Sequence, residues 1–210
     1  MASVRFPDDV QVAGNLQVDG LILPGVTRAQ LVQDNFVEYG VDFSRLRVHD
    51  AFATPIGTAA TDDLGISTGG TFGTDAPYIS GGDQKALGAT TRYARFLFTL
   101  PPEYVTGQSV RITAQAGMVT TAADTSCTLD FEAYRSEKDG TVAGSDLVTT
   151  AATTINSTSL AEKNYELTSS GLAAGDVLDI RAAIVCTDAA TGTAVIPAIA
   201  HLAMALDVKG

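Results

Sequence analysis

The 210-residue sequence contains no tryptophan, only two cysteines, and few charged residues, at 18% of the chain. Basic residues are scarce: 13 stand against 24 acidic residues, which gives a net charge of −11. A negative field of this size repels nucleic acid and anionic lipid surfaces. No apolar run approaches the roughly 18–20 residues that span a bilayer, and the start lacks the basic and apolar regions of a secretion signal. We therefore expect a soluble protein whose partners are neither nucleic acid nor membrane.

Motifs for catalysis and for cofactor or metal binding are also missing. His49 and His201 have no cysteine or histidine at metal-ligand spacing, so we expect both at a surface or an interface. The sequence has no strained Gly-x-Ser-x-Gly turn, no phosphate-binding glycine loop and no dinucleotide fingerprint. The pair Asp62-Asp63 is not part of a twelve-residue calcium loop, and we interpret its carboxylates as loop caps. These absences predict a protein that is not an enzyme and holds no cofactor and no metal.

The absence of tryptophan bears on carbohydrate binding, because sugars commonly stack on exposed aromatic rings. The six tyrosines are spread along the chain. Stacking residues are thus thinly supplied, and a lectin-like function is not indicated by composition.

The two cysteines lie in strand-like runs. Cys127 is in phase with Leu129 and Phe131, and Cys186 is in phase with Ile180 and Ile184. Both therefore behave like small hydrophobic core residues, and two cysteines do not make a disulfide scaffold. We expect buried free thiols, and a disulfide between them is the alternative.

Hydrophobic residues and glycines recur every six positions from Val10 to Val26. Each unit is a short alternating strand closed by a glycine turn. Three units are too few to bury a core in one chain, because such repeats need stacked neighbours. The pattern predicts an oligomeric stem, and a pair of ordinary short strands is the simpler alternative. The interface residues expected in this stem are Val10, Val12, Leu16, Val18 and Ile22.

The stem pattern ends at Pro24-Gly25, and a short helix is predicted next, with Thr27 as N-cap and Gln30 completing a capping box. Residues 1–35 thus form the predicted oligomerisation stem. Residues 36–90 begin with a Val-, Phe- and Tyr-rich strand region and continue as a Gly- and Thr-rich segment. Because a loop this long is unusual inside a compact domain, we expect either an arm that lies on a partner or a set of ordered surface loops.

Residues 91–210 alternate strongly between apolar and polar positions, with polar turns between runs and no competing helical period. About eight such strands predict an antiparallel β-sandwich of jelly-roll size, which we expect to fold by itself. The last run is predicted to keep a single phase from Ile196 through Ala198, Ala200 and Leu202 to Val208. The other predicted inward sets are Ala94, Phe96, Phe98 and Leu100; Val110, Ile112, Ala114, Ala116 and Met118; Cys127, Leu129, Phe131 and Ala133; and Leu178, Ile180, Ala182, Ile184 and Cys186.

The opening stretch, residues 9–24, resembles the N-terminal stems of trimeric fibre and decoration proteins of tailed bacteriophages. Residues 94–102 and 176–185 look like the sandwich domains of such virion proteins. The resemblance implies a trimeric, non-enzymatic structural component made in the host cytoplasm, and it transfers no catalytic residue to this chain.

On this resemblance we expect a capsid decoration (cement) protein on the capsid surface, whose partners are its own copies, as a homotrimer, and the major capsid protein. The stem would form the trimer, the Gly/Thr-rich arm would lie on the shell, and the sandwich would project as a knob. The alternative is a short tail or head fibre, a receptor-binding protein whose sandwich binds a host surface glycan. A secreted enzyme accessory module is disfavoured, because both a signal peptide and tryptophan are missing.

Overall fold

A computed structural model describes residues 36–67, 69–189 and 192–208. The expected stem residues Val10, Val12, Leu16, Val18 and Ile22, and the helix predicted after Thr27, lie outside the described residues. The described part of the compact unit Asn35–Gly210 is all-β and consists of two antiparallel sheets in a jelly-roll-like sandwich. No helix within the described ranges is long and apolar enough to cross a membrane.

Eleven strands are described in these ranges. The first sheet has the order β2-β3-β11-β5-β9, with β1 also beside β11, and the second has the order β4-β10-β6-β7, with β8 also beside β6. The strands are β1 (Phe36–Gly40), β2 (Gly65–Ile66), β3 (Ile79–Ser80), β4 (Gly88–Thr99), β5 (Val110–Met118), β6 (Ser126–Ser136), β7 (Val142–Ala143), β8 (Thr153–Thr154), β9 (Ala161–Glu166), β10 (Val177–Asp188) and β11 (Pro197–Asp207). A 3-10 turn spans Phe43–Arg45.

Alternation places the predicted apolar sets of β4, β5, β6 and β10 between the two sheets. Every second residue of β10 is buried, and β6 follows the same pattern over most of its length. Phe96, Phe131 and Tyr165 are among the largest fully buried side chains. The ring centroids of Phe131 and Tyr165 lie 4.8 Å apart in an edge-to-face contact that joins the two sheets. The sequence prediction of an antiparallel sandwich is confirmed.

Strand β11 does not keep the single phase that its sequence predicts. The register against β5 shifts between Ile199 and His201, so that two residues of β11 stand opposite Gln115 alone. This is a β-bulge, which reverses the side-chain alternation. Ile199 is fully buried, whereas Ala200, predicted to point inward, is exposed. Downstream of the bulge, Leu202, Met204 and Leu206 face the core as predicted.

The segment 36–90, which the sequence set apart from the sandwich, lies in the same compact unit as the later strands. It supplies β1, β2 and β3 to the first sheet, and its buried side chains join the common core. Gly65 of β2 must be glycine, because a Cβ there would stand 2.1 Å from the Ala59 backbone nitrogen. The described part of the Gly/Thr-rich segment is therefore a set of ordered loops. The buried core residues of these loops are Ile56, Leu64 and Ile79, and Leu46 from the preceding turn is buried with them.

Cys127 and Cys186 form a disulfide, so the expectation of free thiols is wrong. The two residues are direct cross-strand partners on β6 and β10, with their Cα atoms 4.0 Å apart. The backbone oxygen of Cys127 accepts a hydrogen bond from Ile155 on the other side of β6, so the cysteines face each other at a non-hydrogen-bonded position, where side chains come closest. Alternation correctly placed both cysteines in the core, but it carries no information on register.

Candidate functional site: a charged groove on the outer face of the second sheet

Charged and aromatic side chains line up across the outer face of the second sheet. In register, Arg181 of β10 stands beside Arg95 of β4 and Glu132 of β6. In the next outward row, Asp179 of β10 stands beside Tyr134 of β6. All five alternate with the buried residues of their strands, so the pleat that fills the core also presents these side chains together on the opposite face.

Two arginine–carboxylate pairs cross this face. Arg95 donates from Nε to Asp179 Oδ1 over 2.6 Å, and its Nη2 donates to Oδ2, which is a bidentate pair. Arg181 donates from Nε to Glu132 Oε2 over 2.8 Å and from Nη2 to the same oxygen. Hydrogen bonding to Asp179 raises the pKa of Arg95, although partial burial opposes the shift. The two arginines and Glu132 are partly exposed and Asp179 is 12% exposed, and both pairs lie on the outer face of the sheet.

These pairs form the floor of a groove. One cleft of about 280 Å³ is lined by His49, Arg95, Glu132, Tyr134, Val142, Asp179 and Arg181. A second cleft of about 250 Å³ shares Arg95, Val142 and Asp179 with the first and continues past Leu97 toward the turn between β6 and β7. Each volume approaches the lower end of the roughly 300–1,000 Å³ of small-molecule pockets. Because the clefts adjoin, the site is an extended groove, which we call the outer-face groove.

The wall of the outer-face groove is built by the loop after β1. This loop pairs with β4 through reciprocal backbone hydrogen bonds between Arg47 and Arg95. It places the Phe52 ring 5.3 Å from the Arg95 guanidinium and the His49 ring 4.7 Å from the Tyr93 ring. The Arg181 guanidinium in turn lies 4.8 Å from the Tyr93 ring centroid. The arginines are thus held by aromatic rings as well as by their carboxylates.

His49 and the pair Asp62-Asp63 meet at the end of the groove. Nδ1 of His49 lies 3.5 Å from Asp63 Oδ1, and Nε2 lies 3.8 Å from Asp62 Oδ2. The two carboxylates, expected as loop caps, therefore face an imidazole. His49, Asp50 and Asp62 also bring three ligand-type atoms within 4.8 Å of one another. Because the two imidazole nitrogens point to different carboxylates and Asp50 is exposed, we assign no metal to this group.

The second histidine of the sequence lies elsewhere. His201 is exposed at the bulge of β11, in the first sheet, and borders a shallow depression with Gly40 and Phe43. The structure therefore places His49 at the candidate site and His201 on the other sheet. His201 agrees with the expectation of a surface histidine, whereas the His49 side chain is only 15% exposed.

Sequence reasoning did not find the groove. Arg95 and Arg181 stand 86 positions apart in the numbering, and nothing in the sequence links them. The sequence did contain one signal for the groove. Only 18% of the residues are charged, yet three long strands each place charged residues at the positions that alternate with their core residues. Alternation gives that phase, but only the strand order β4-β10-β6 shows that the charges are neighbours.

No protein-family model and no curated protein matches this chain in sequence. Several solved structures have a similar arrangement of strands. The CBM22-1 xylan-binding domain of Paenibacillus barcinonensis Xyn10C is 11% identical, with 84% of this chain and 97% of that chain covered and a TM-score of 0.41. The xylan-binding module CBM15 is 16% identical, and the match covers 84% of this chain and 100% of that module, with a TM-score of 0.42. The enzymatically active domain of bacteriophage CBA120 tailspike protein 4 is 10% identical, and the match covers 82% of this chain and 19% of that chain, with a TM-score of 0.40. At such values any function has to be argued from the groove itself.

Proposed function

We propose that this protein is a non-enzymatic glycan-binding protein, a short tail or head fibre of a phage particle whose sandwich binds a surface polysaccharide in the outer-face groove. The observation that carries the proposal is the pair of arginine–carboxylate bridges on the floor of an extended groove. The phage setting comes from the resemblance of residues 9–24 to fibre stems and is part of the same proposal.

The groove offers the chemistry that sugar hydroxyls require. A carboxylate accepts hydrogen bonds from hydroxyl groups, and a guanidinium donates to them from a rigid planar fork. Asp179, Glu132, Arg95 and Arg181 supply both kinds of group side by side, and Tyr134 adds an aromatic ring to the same cleft. The missing tryptophan is thus offset by a dense set of polar partners. The groove's two adjoining clefts suit a chain of several sugar units better than a single one.

The same pairs argue against hydrolysis. Glycosidases use two carboxyl groups in contrasting environments, one as acid and one as base or nucleophile. Here Asp179 and Glu132 are each engaged in an ion pair with their own arginine, so the two carboxyl groups are not set apart as one acid and one base. The arrangement therefore supports binding without turnover. Capsid decoration, the first expectation from the sequence, stays a prediction, because it depends on a stem outside the described residues.

The test is a polysaccharide microarray probed with the full chain, carrying neutral plant polysaccharides and bacterial lipopolysaccharides. The double variant Arg181→Gln/Glu132→Gln removes one bridge and leaves a neutral polar side chain at each position. We expect it to bind at least about tenfold more weakly, which corresponds to about 1.4 kcal/mol.

The chain offers a closely matched control on the first sheet. Arg111 faces Glu166 there at 3.8 Å and lies 5.2 Å from the Phe36 ring, as Arg181 lies over Tyr93. Arg111→Gln/Glu166→Gln should bind like the wild type. Equal losses in both double variants, or no binding of the wild type to any polysaccharide, would refute the proposal.

A further inference from the structure

The side chains of the outer-face groove determine which ligand charge the groove favours. We infer that it selects neutral polysaccharides and discriminates against acidic ones, such as uronate-containing or sulfated chains. This inference rests on the proposed function, and it names the class of glycan that the same site takes.

Each guanidinium of the groove already holds a carboxylate of the protein. Arg95 is bound in bidentate fashion by Asp179, and both donating nitrogens of Arg181 converge on Glu132 Oε2. A guanidinium has five N–H bonds, and each of these bridges uses two. Arg95 uses a further N–H, because its Nη1 donates to the His49 backbone oxygen over 3.4 Å. The remaining N–H groups can donate to hydroxyl oxygens without breaking the bridge. A neutral sugar therefore adds hydrogen bonds to an intact pair of charges.

An acidic sugar meets a different situation. Its carboxylate or sulfate has to compete with Asp179 or Glu132 for the same arginine, and the displaced side chain is left as an unpaired negative charge beside the ligand. The surroundings add more negative charge. Asp62 lies near the groove wall, and Asp130 precedes Glu132 on the outward phase of β6. The net charge of −11 repels a polyanion before it arrives.

The experiment compares matched polysaccharides by surface plasmon resonance on the full chain. The probes are galactan with polygalacturonan, arabinoxylan with glucuronoxylan, and dextran with dextran sulfate. We expect binding to at least one neutral member and binding at least about tenfold weaker to its acidic counterpart. Raising the salt from about 50 to about 500 mM should change the neutral affinity less than about twofold, because no net ligand charge is involved.

Glu132→Gln supplies the decisive variant, since it frees Arg181 without adding a charge. It should lower the ratio of neutral to acidic affinity at least about fivefold, because the unpaired guanidinium now attracts the ligand's anionic group. Glu166→Gln on the first sheet removes the same charge away from the groove and should leave the ratio unchanged. This control separates the local bridge from the overall field.

The outcomes are distinct. Preference of the wild type for an acidic member, or equal shifts of the ratio in Glu132→Gln and Glu166→Gln, overturns this inference and leaves glycan binding in place. Absence of binding to every neutral and acidic probe overturns the proposed function together with the inference.

Discussion

At the scale of single residues, Tyr165 connects the two sheets. It belongs to β9 of the first sheet, yet its hydroxyl donates to the Leu129 backbone oxygen of β6 over 2.8 Å and also contacts the Thr153 hydroxyl. Its ring is fully buried against Phe131. Burial raises the pKa of Tyr165 from 10.0 to about 12. The folded protein thus favours the neutral phenol more strongly than the unfolded chain does.

This shift gives a prediction with a defined sign. Because the folded pKa is raised, the stabilisation is complete below pH 10 and is lost as the pH rises toward about 12. Tyr165→Phe should lower the free energy of unfolding by about 1–3 kcal/mol at neutral pH, since it leaves the Leu129 carbonyl without this donor. It should also reduce the loss of stability above about pH 10. Urea unfolding at several pH values measures both effects.

Tyr134→Phe is the matched control, because Tyr134 is only half-buried on the outer face of the second sheet. Its free energy of unfolding should stay within about 0.5 kcal/mol of wild type. If Tyr165→Phe shows the same alkaline loss as the wild type, the phenol of Tyr165 is not responsible.

At the scale of elements, the bulge of β11 decides which side chains reach the core. The sequence phase assigns Ala200 to the core and Ile199 to solvent, whereas the structure reverses both. The bulge lies opposite Gln115, whose side chain donates to the Leu160 backbone oxygen over 2.9 Å. The upstream half of β11 lies between β3 and β5 and the downstream half lies between β1 and β5, so the bulge falls where β11 changes one neighbour.

Adjacent aspartate substitutions test the bulge. Ile199→Asp places a carboxylate in the core and should cost several kcal/mol of unfolding free energy or abolish folding. Ala200→Asp places it in solvent and should change stability by less than about 1 kcal/mol. Thermal and urea unfolding of both variants provide the measurement. The opposite order of effects would mean that β11 keeps one uninterrupted phase.

The strands also show how much of the fold can be predicted from the sequence. Alternation predicted β4, β5, β6 and β10 with their core faces, because each is long and regular over at least nine residues. It failed at the bulge of β11, since an inserted residue has no signature in composition. It missed the groove and the disulfide for one shared reason. Which strands are neighbours, and in which register, is fixed by packing across the whole sandwich.

At the scale of the whole molecule, the loops before β4 are part of the sandwich. Leu46, Leu64 and Ile79 are fully buried, and Ile56 nearly so. Burial of each such side chain contributes roughly 1.5–3 kcal/mol. Their sum is comparable to the roughly 5–15 kcal/mol that stabilises a typical domain. We therefore expect the sandwich to need residues 36–90, whereas the sequence alone predicted that residues 91–210 fold by themselves.

Two shortened chains test this dependence. A chain of residues 36–210 should unfold cooperatively in urea, whereas a chain of residues 91–210 should lack β1, β2 and β3 and fail to fold. Circular dichroism and amide hydrogen exchange distinguish the two results. Cooperative unfolding of residues 91–210 with protected amides would show that the loops are dispensable.

Sedimentation of the same material tests the predicted stem. The full chain should have about three times the monomer mass of 21.7 kDa, and residues 36–210 should sediment as a monomer. Val12→Asp should dissociate the full chain, because it puts an unpaired charge into the predicted interface. A monomeric full chain would refute the trimer.

The disulfide between β6 and β10 has a mechanical consequence. It closes a covalent loop over a sequence separation of 59 residues, within which β7, β8 and β9 lie. When the chain is pulled from its two ends, tension passes through the sulfur bridge and bypasses this loop. At about 3.5 Å per residue, the oxidised chain should extend by about 200 Å less than the reduced chain. Optical-tweezers traces with and without reductant would show this difference as a shorter unfolding step.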